Sequence, residues 1–244
     1  MRNAWIVARR ELGAIFVQPI AYIFAIMMAF ITGLIFSAQI SFPSIQGSGP
    51  PPTLIQILNT FSFLAVFGVP AITMRLLSEE QQTGTIELLM TLPVRDIEVV
   101  LGKFLAAFIF YTAVTALTLI YPVVLLRFGN PDVGPMISSY VGVLLWGAAL
   151  LGIGLLASAM SENQINAFML AFGIILFLYL TTIPAQLFAV NPPWSTVLSE
   201  LSLQNHLNGF LNGLVTAKDV LYYLTVTAVS LFAAARVLES RRWR

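Results

Sequence analysis

The sequence predicts an all-α fold, a polytopic membrane protein with six transmembrane helices, from three observations. First, 58% of the 244 residues are hydrophobic and only 9% are charged, whereas a soluble domain carries about 25% charged residues. Second, no Asp, Glu, Lys or Arg occurs from Leu12 to Met74. Third, the apolar residues fall in runs close to the roughly 20 residues that a membrane-crossing helix needs. A soluble core of this size could not bury so much apolar surface.

The apolar runs define the predicted spans of a single transmembrane domain, residues 1–244. The six spans are predicted at 20–40, 54–74, 104–126, 138–160, 166–189 and 220–238. The first run is too long for a signal-peptide core and no cleavage-site pattern follows it, so we expect it to be retained. Pro70, Pro122 and Pro184 remove backbone donors inside or near spans, and this predicts kinks.

The basic residues predict which side of the membrane each loop faces. The N-terminus, the 75–103 loop and the C-terminal end carry three, three and four Lys or Arg residues. Only Arg127 and Lys218 fall on the opposite face. Because cytoplasmic loops carry the excess of positive charge, both termini and the 75–103 loop are predicted to be cytoplasmic.

The 75–103 loop is the one long polar segment on the predicted cytoplasmic side. Its residues Ser78–Gln81 match a capping box, which predicts the start of a short helix that Gly84 then interrupts. A second short helix is predicted over 85–92, because Pro93 disfavours continuation. Its apolar residues recur at helical spacing, which favours docking into a groove on another protein. The alternatives are a helix lying on the membrane surface and a solvated loop.

Residues 75–104, RLLSEEQQTGTIELLMTLPVRDIEVVLGKF, resemble the signature of ABC-2 type transporter permeases. In that family the pattern E-x-x-x-G-T-x-E-x-L-L-x-x-P lies between the second and third spans, and a G-K pair opens the third. The matching residues are Glu80, Gly84, Thr85, Glu87, Leu89, Pro93, Gly102 and Lys103, with Leu88 and Leu89 as paired leucines. The chain looks most like the gliding-motility type of permease, both in its length and in the sequences of residues 206–223 and 239–243.

The resemblance implies an exporter-type ABC-2 permease fold in a bacterial inner membrane. Two permease subunits, identical or different, would pair around a central path, with membrane lipid around them. The polar segment would dock on a separate cytoplasmic ABC ATPase, which would hold the ATP and Mg²⁺. The docking residues implied are Glu79, Glu80, Gly84, Thr85, Ile86, Glu87, Leu88, Leu89, Met90 and Pro93.

The chain itself shows no pattern for catalysis or cofactor binding, so it is not expected to be an enzyme. The only Gly-Lys pair, at 102–103, is followed by Phe104 and lacks the rest of a phosphate-binding loop. Lys103 is therefore interpreted as an anchor at the membrane edge. No metal site is expected, because the chain has no Cys and Glu200 is the only acid within ten residues of the lone His206. No basic patch suggests nucleic acid.

Polar residues inside the predicted spans are candidates for lining a path. Asn59 and Ser62 are three residues apart in the second span, and Thr115 and Thr118 are three apart in the third. Each pair has the spacing to face one cavity, although bonding to neighbouring helices is the commoner use of such residues. No predicted span contains Asp, Glu or His, which disfavours an ion-coupled carrier and suits energy supplied by ATP.

Two flanking segments are predicted to be amphipathic. Residues 191–219, on the predicted outer side, carry apolar residues at helical spacing, which predicts one or two amphipathic helices at the outer interface. The resemblance implies that this segment is a lid over the path, and the alternative is a loop packed on the span ends. The segment around Trp5 is predicted either to lie along the inner interface or to extend the first span. The predicted function is a permease subunit that couples ATP hydrolysis to export or force transmission. The alternative is a membrane anchor that recruits a cytoplasmic partner without transport.

Overall fold

The computed structural model describes residues 2–46, 53–85, 95–128, 131–183 and 194–241. Within these ranges the chain is helical and has no β-strand, so the all-α prediction is confirmed. Five helical stretches are long and apolar enough to cross a membrane: Pro19–Ser41, Leu54–Gln82, Asp96–Phe128, Val133–Met160 and Ala217–Ser240. A shorter apolar helix, Gln164–Leu180, lies where the fifth span is predicted. The count of six spans and their orientation stay predictions.

The described helices are numbered in chain order. Their bounds are α1 Arg2–Val17, α2 Pro19–Gln46, α3 Leu54–Thr73, α4 Arg75–Gln82, α5 Asp96–Leu117, α6 Ile120–Phe128, α7 Val133–Met160, α8 Gln164–Leu180, α9 Trp194–Leu201, α10 Leu203–Leu211 and α11 Ala217–Arg241. The predicted fifth span, 166–189, extends past α8 into residues 184–193, which lie outside the described residues together with Pro184.

Helix α7 is the centre of the bundle, and α3, α5, α8, α10 and α11 all pack against it. Trp146 and Leu150 are among its completely buried side chains. Glycines let neighbours approach closely: a Cβ on Gly147 would lie 2.0 Å from the ring of Tyr111 on α5. Small residues in a span permit such contacts, and here they allow the neighbouring helices to pack closely around α7.

The second apolar stretch is broken once, between α3 and α4. Pro70 lies inside α3, and the break follows at Met74, whose N–H still donates to the carbonyl of Pro70 at 2.9 Å. The capping box predicted at Ser78–Gln81 is wrong, because Ser78 is inside α4 and its hydroxyl donates to the carbonyl of Met74. Helix α4 therefore begins at Arg75, nearly continuous with α3.

The third apolar stretch begins earlier than predicted and is kinked. Helix α5 starts at Asp96 rather than at residue 104, because the Glu98 side chain accepts from the N–H of Arg95 and caps the first turn. The stretch breaks after Leu117, where Pro122 cannot donate to the carbonyl of Thr118. The hydroxyl of Tyr140 on α7 donates to that carbonyl at 2.9 Å, so the kink is held by a neighbouring helix.

Helix α1 is a separate helix, not an extension of α2. It ends at Val17, and Pro19 begins α2 at the position where proline fits best in a helix. Helix α1 lies along the first turns of α5. A Cβ on Gly102 of α5 would be 2.8 Å from the carbonyl oxygen of Ala4, so a glycine is needed for this approach.

At the opposite end of the bundle, the amphipathic segment forms two short helices, α9 and α10. Phe210 of α10 packs on Gly142 near the start of α7, and the hydroxyl of Ser138 donates to the carbonyl of Phe210 at 2.8 Å. The helical prediction for 191–219 is thus confirmed for 194–211. Helix α10 covers the start of α7, which favours packing on the span ends.

Candidate functional site

Four charged side chains from α1, α4 and α5 form one ion-pair network. Nζ of Lys103 lies 2.9 Å from Oε1 of Glu80 and 3.3 Å from Oε1 of Glu11. Nη2 of Arg10 lies 3.4 Å from Oε1 of Glu80 and 3.8 Å from Oε2 of Glu11. Two cations thus alternate with two carboxylates, and the network joins the polar segment to two other helices. We call this side of the bundle the ion-pair end.

Lys103 is the buried centre of this network. Only 1% of its side chain is exposed, against 15% and 18% for Glu11 and Glu80. The interpretation of Lys103 as a membrane-edge anchor is therefore wrong. A buried ammonium needs carboxylate partners to offset its desolvation, and Glu80 and Glu11 supply them.

Close packing of α1 brings Glu11 to Lys103. The missing side chain at Gly102 lets α1 lie against α5, with Val7 and Ala4 at the point of contact. Asn3 at the start of α1 donates to Oε2 of Glu98 at 3.2 Å and ties the same two helices further. The glycine and lysine of the 102–103 pair therefore have different roles, since one admits α1 and the other forms ion pairs.

Helix α4 is further fixed along its own length. Nε and Nη2 of Arg75 donate to the two carboxylate oxygens of Glu79 at 3.0 and 2.8 Å, a bidentate pair four residues apart. Nε2 of Gln81 donates to the carbonyl of Ala159 at the end of α7, at 2.9 Å. Helix α4 therefore contacts α7 as well as the ion-pair network.

Gly84 ends α4, as the sequence predicts. Its φ of 71° lies in the left-handed region, which favours glycine at the C-terminus of a helix. Thr85 follows it and is exposed, with its hydroxyl 2.9 Å from that of Thr83. Four of the ten predicted docking residues lie within the described ranges: Glu79, Glu80, Gly84 and Thr85. Ile86, Glu87, Leu88, Leu89, Met90 and Pro93 lie outside the described residues.

Three of the four predicted path-lining residues lie inside the bundle. Ser62, Thr115 and Thr118 are buried, and each hydroxyl donates to a carbonyl of its own helix. Thr118 also contacts the hydroxyl of Tyr140 at 3.1 Å. Only Thr118 therefore matches the predicted alternative, bonding to a neighbouring helix, whereas Ser62 and Thr115 bond within their own helices.

Asn59 is the path-lining candidate that lies on an exposed surface. Its Oδ1 accepts from Nε2 of Gln204 on α10 at 3.0 Å. One turn along the same face of α3 comes Phe63, and then Phe67, both about two-fifths exposed. These rings contact Tyr179 and Phe172 of α8 at centroid distances of 5.8 and 5.2 Å. We call these residues the amide–aromatic stripe.

A second polar cluster lies at the opposite end of the bundle. Nδ1 of His206 lies 2.6 Å from Oδ1 of Asp219, and its Nε2 lies 3.0 Å from the carbonyl of Glu200. Asp219 is 13 residues from His206 in sequence. The prediction considered only acids within ten residues of His206, and it therefore missed this partner. The pair ties α10 to the start of α11. Within the described residues, no three His, Cys, Asp or Glu side chains are placed to hold a metal ion.

Sequence reasoning missed that Arg10 and Glu11 belong to this site. They precede the first span by several residues and have no motif around them. A signal existed in the charge pattern, since Glu11 is the last charged residue before the long uncharged stretch. An acid at the edge of an apolar run becomes buried when that run packs, and a buried carboxylate needs a cation nearby.

Comparison with known proteins identifies similar chains. The family profile described as "ABC-2 family transporter protein" matches residues 11–242. A protein of Escherichia coli strain K12, described as "Probable multidrug ABC transporter permease YbhR", is 26% identical over 127 residues. The protein of the same description in Escherichia coli O157:H7 matches equally. Each match covers 52% of this chain and 32% of the relative, so it spans about a third of the relatives' length.

Proposed function

Because this chain belongs to the ABC-2 family of transporter proteins, we propose that it is a permease subunit driven by a separate ABC ATPase. The ATPase docks on the polar segment 75–103 and holds the ATP and Mg²⁺. A second permease subunit, identical or different, completes the complex in the bacterial inner membrane. ATP hydrolysis then drives export or the transmission of force across the membrane.

The observation that carries this proposal is the ion-pair network. A segment that receives a push from a partner must be joined firmly to the spans that have to move. Glu80 of α4 is bound to Lys103 of α5 and to Arg10 of α1, so displacement of α4 acts on two other helices. Lys103 is 1% exposed and its two carboxylates are 15% and 18% exposed, so these pairs resist the screening by salt that weakens exposed pairs such as those of Arg10, which is 60% exposed.

The amide–aromatic stripe supports a cargo with an apolar body. Asn59 and Gln204 offer polar atoms at one end of the stripe, and the rings of Phe63 and Phe67 offer an apolar surface below them. Aromatic faces with a few polar groups are typical of sites for amphipathic ligands. The stripe carries no charged residue, so the proposed cargo is neutral or lipid-like. The relatives' description as multidrug permeases agrees with such a cargo.

Docking is tested by placing a large side chain at an exposed position just after the end of α4. Thr85→Trp in the tagged full-length chain is expected to lower the amount of co-purified ATPase about tenfold, since bulk at the centre of an interface disrupts its packing. The matched control is Thr196→Trp, which alters a threonine of α9 at the opposite end of the bundle. Equal ATPase recovery from both variants, or recovery of no ATPase with the unsubstituted chain, would refute the proposal.

Coupling to the spans is tested by an ATP-driven movement that needs no known cargo. The chain has no cysteine, so nitroxide labels at Gln56→Cys and Leu221→Cys report on the exposed starts of α3 and α11. Trapping the complex with ATP and vanadate is expected to change the distance between the labels. An unchanged distance in a complex that retains its ATPase would instead support the membrane anchor without transport.

A further inference from the structure

Helix α4 begins without the side-chain cap that helices usually have. The first N–H groups of an α-helix lack an acceptor in their own helix, and a polar side chain at the N-cap normally accepts from them. Met74 occupies that position and makes no side-chain cap. The N–H groups of Leu77 and Ser78 donate instead to the hydroxyl of Ser158 on α7, each at 3.0 Å.

Ser158 also bonds the junction in the other direction. Its hydroxyl donates to the carbonyl oxygen of Met74 at 3.1 Å, and its side chain is completely buried. A serine hydroxyl has one donor and two acceptor sites, so these three bonds use its full capacity. The cap that the local sequence lacks is therefore supplied by a residue 84 positions away.

Packing one turn away brings the two helices to this contact. Gly154 precedes Ser158 by one turn of α7, and a Cβ on it would lie 2.1 Å from Oγ1 of Thr73. Because Gly154 has no side chain, Thr73, the last residue of α3, packs directly against α7 beside the start of α4. At the other end of α4, Gln81 bonds to the carbonyl of Ala159. Helix α4 is thus attached to α7 at both of its ends.

We infer that Ser158 is a positioning residue, which sets the angle between α3 and α4 and passes movement of α4 on to α7. This inference rests on the proposed function, because it assigns the step between the docking segment and the central span. If the hydroxyl is removed, the N–H groups of Leu77 and Ser78 are left buried without an acceptor. They regain acceptors most readily if α3 and α4 straighten into one helix, in which each N–H bonds to the carbonyl four residues earlier.

A change in this angle moves the end of α4 relative to the end of α7, and this movement is measured in the full-length chain in lipid nanodiscs. Gln82→Cys at the end of α4 and Met160→Cys at the end of α7 are exposed sites for nitroxide labels. Because Gln81 bonds to Ala159, these labels lie close together, and dipolar broadening of the continuous-wave electron resonance spectrum gives the distribution of distances between them. Adding Ser158→Ala is expected to shift the maximum of that distribution by several ångströms. The control Ser230→Ala, a buried serine of α11 that packs on α7 at Gly152, is expected to leave it in place.

The role in transmission is measured in the complex with its co-purified ATPase. The readout is the fraction of molecules in which ATP and vanadate change the distance between the labels on α3 and α11. Ser158→Ala is expected to lower this fraction about tenfold, the factor that equals about 1.4 kcal/mol, while the ATPase stays bound. Ser230→Ala is expected to keep it. A defect confined to folding would lower the recovery of the complex instead, and that result would also count against the inference.

Two further results overturn the inference. One is an unchanged distance between the ends of α4 and α7 in Ser158→Ala. The other is a changed distance with an unaltered response to ATP. If no ATPase co-purifies with the unsubstituted chain, the proposed function fails, and the distance between α4 and α7 still decides whether Ser158 sets the angle.

Discussion

Removal of the Lys103 charge should destabilise the ion-pair end, and the size of the effect follows from the geometry. Two unit charges 2.9 Å apart attract by about 5–6 kcal/mol at an effective dielectric constant of about 20. Desolvation of the buried ammonium offsets part of this, and loss of one partner of a buried pair costs about 3–5 kcal/mol. Because Glu11 and Glu80 keep partial access to water, we expect Lys103→Met to cost about 3 kcal/mol.

The assay is a double-mutant cycle read by the midpoint of thermal unfolding in nanodiscs. Lys103→Met should lower the midpoint by about 6–12 °C, since 1 kcal/mol corresponds to about 2–4 °C in a chain of this size. Without Lys103, Glu80 and Glu11 repel each other, and adding Glu80→Gln to Lys103→Met removes this repulsion. The double variant should therefore be more stable than the sum of the two single effects predicts. We expect a coupling free energy of at least about 1.5 kcal/mol.

The control cycle uses Arg236→Met and Glu239→Gln. These two side chains form an ion pair at 2.7 Å, but they are 62% and 50% exposed, and exposed pairs contribute about 0–1 kcal/mol. Its coupling should be near zero. Additive effects in the Lys103 and Glu80 cycle, within about 0.5 kcal/mol, would refute the conclusion that this contact joins α4 to α5.

Two further predictions concern single glycines. Gly84→Ala should lower the free energy of unfolding by about 1–2 kcal/mol, because an alanine is strained at φ 71°. Gly13 lies in a helix with open space around it, so Gly13→Ala should instead raise the free energy of unfolding by about 0.5–1 kcal/mol. Equal effects of the two substitutions on the thermal midpoint would contradict the role of the left-handed turn. Gly102→Ala should push α1 off α5, so that a cysteine at the buried position Ala8 reacts faster with maleimide. Gly173→Ala should not, since nothing lies within 4 Å of a Cβ at that position, and equal rates would count against that packing.

Some features of this chain could be predicted because they depend on short stretches of sequence. Apolar runs of about 20 residues indicate membrane-crossing helices wherever they lie in the fold. Gly84 marks the end of α4 because a left-handed residue is a local backbone requirement. The 75–104 pattern led to the ABC-2 family, and the family match over residues 11–242 confirms that assignment.

Other predictions failed where two distant segments share one contact. Ser78 has the local pattern of a cap, yet α4 begins earlier because Ser158 supplies the acceptor from another helix. The place of Lys103 at a span end indicates an anchor, whereas its environment is set by Glu11 and Glu80. Polar residues in spans have no local signal that separates a path from a helix contact, and the burial of Ser62 and Thr115 follows only from packing.

The sequence by itself determined that this chain is a helical membrane protein with one polar segment, because hydropathy and backbone requirements act on neighbouring residues. The tertiary structure decided which charges pair and which helix caps which. Lys103 meets Glu80, and Ser158 meets Met74, only when α1, α4, α5 and α7 pack together. The physical reason is that buried polar groups must be paired. A polar residue in an apolar stretch shows that a partner is needed, but only the packing of distant segments determines which residue it is.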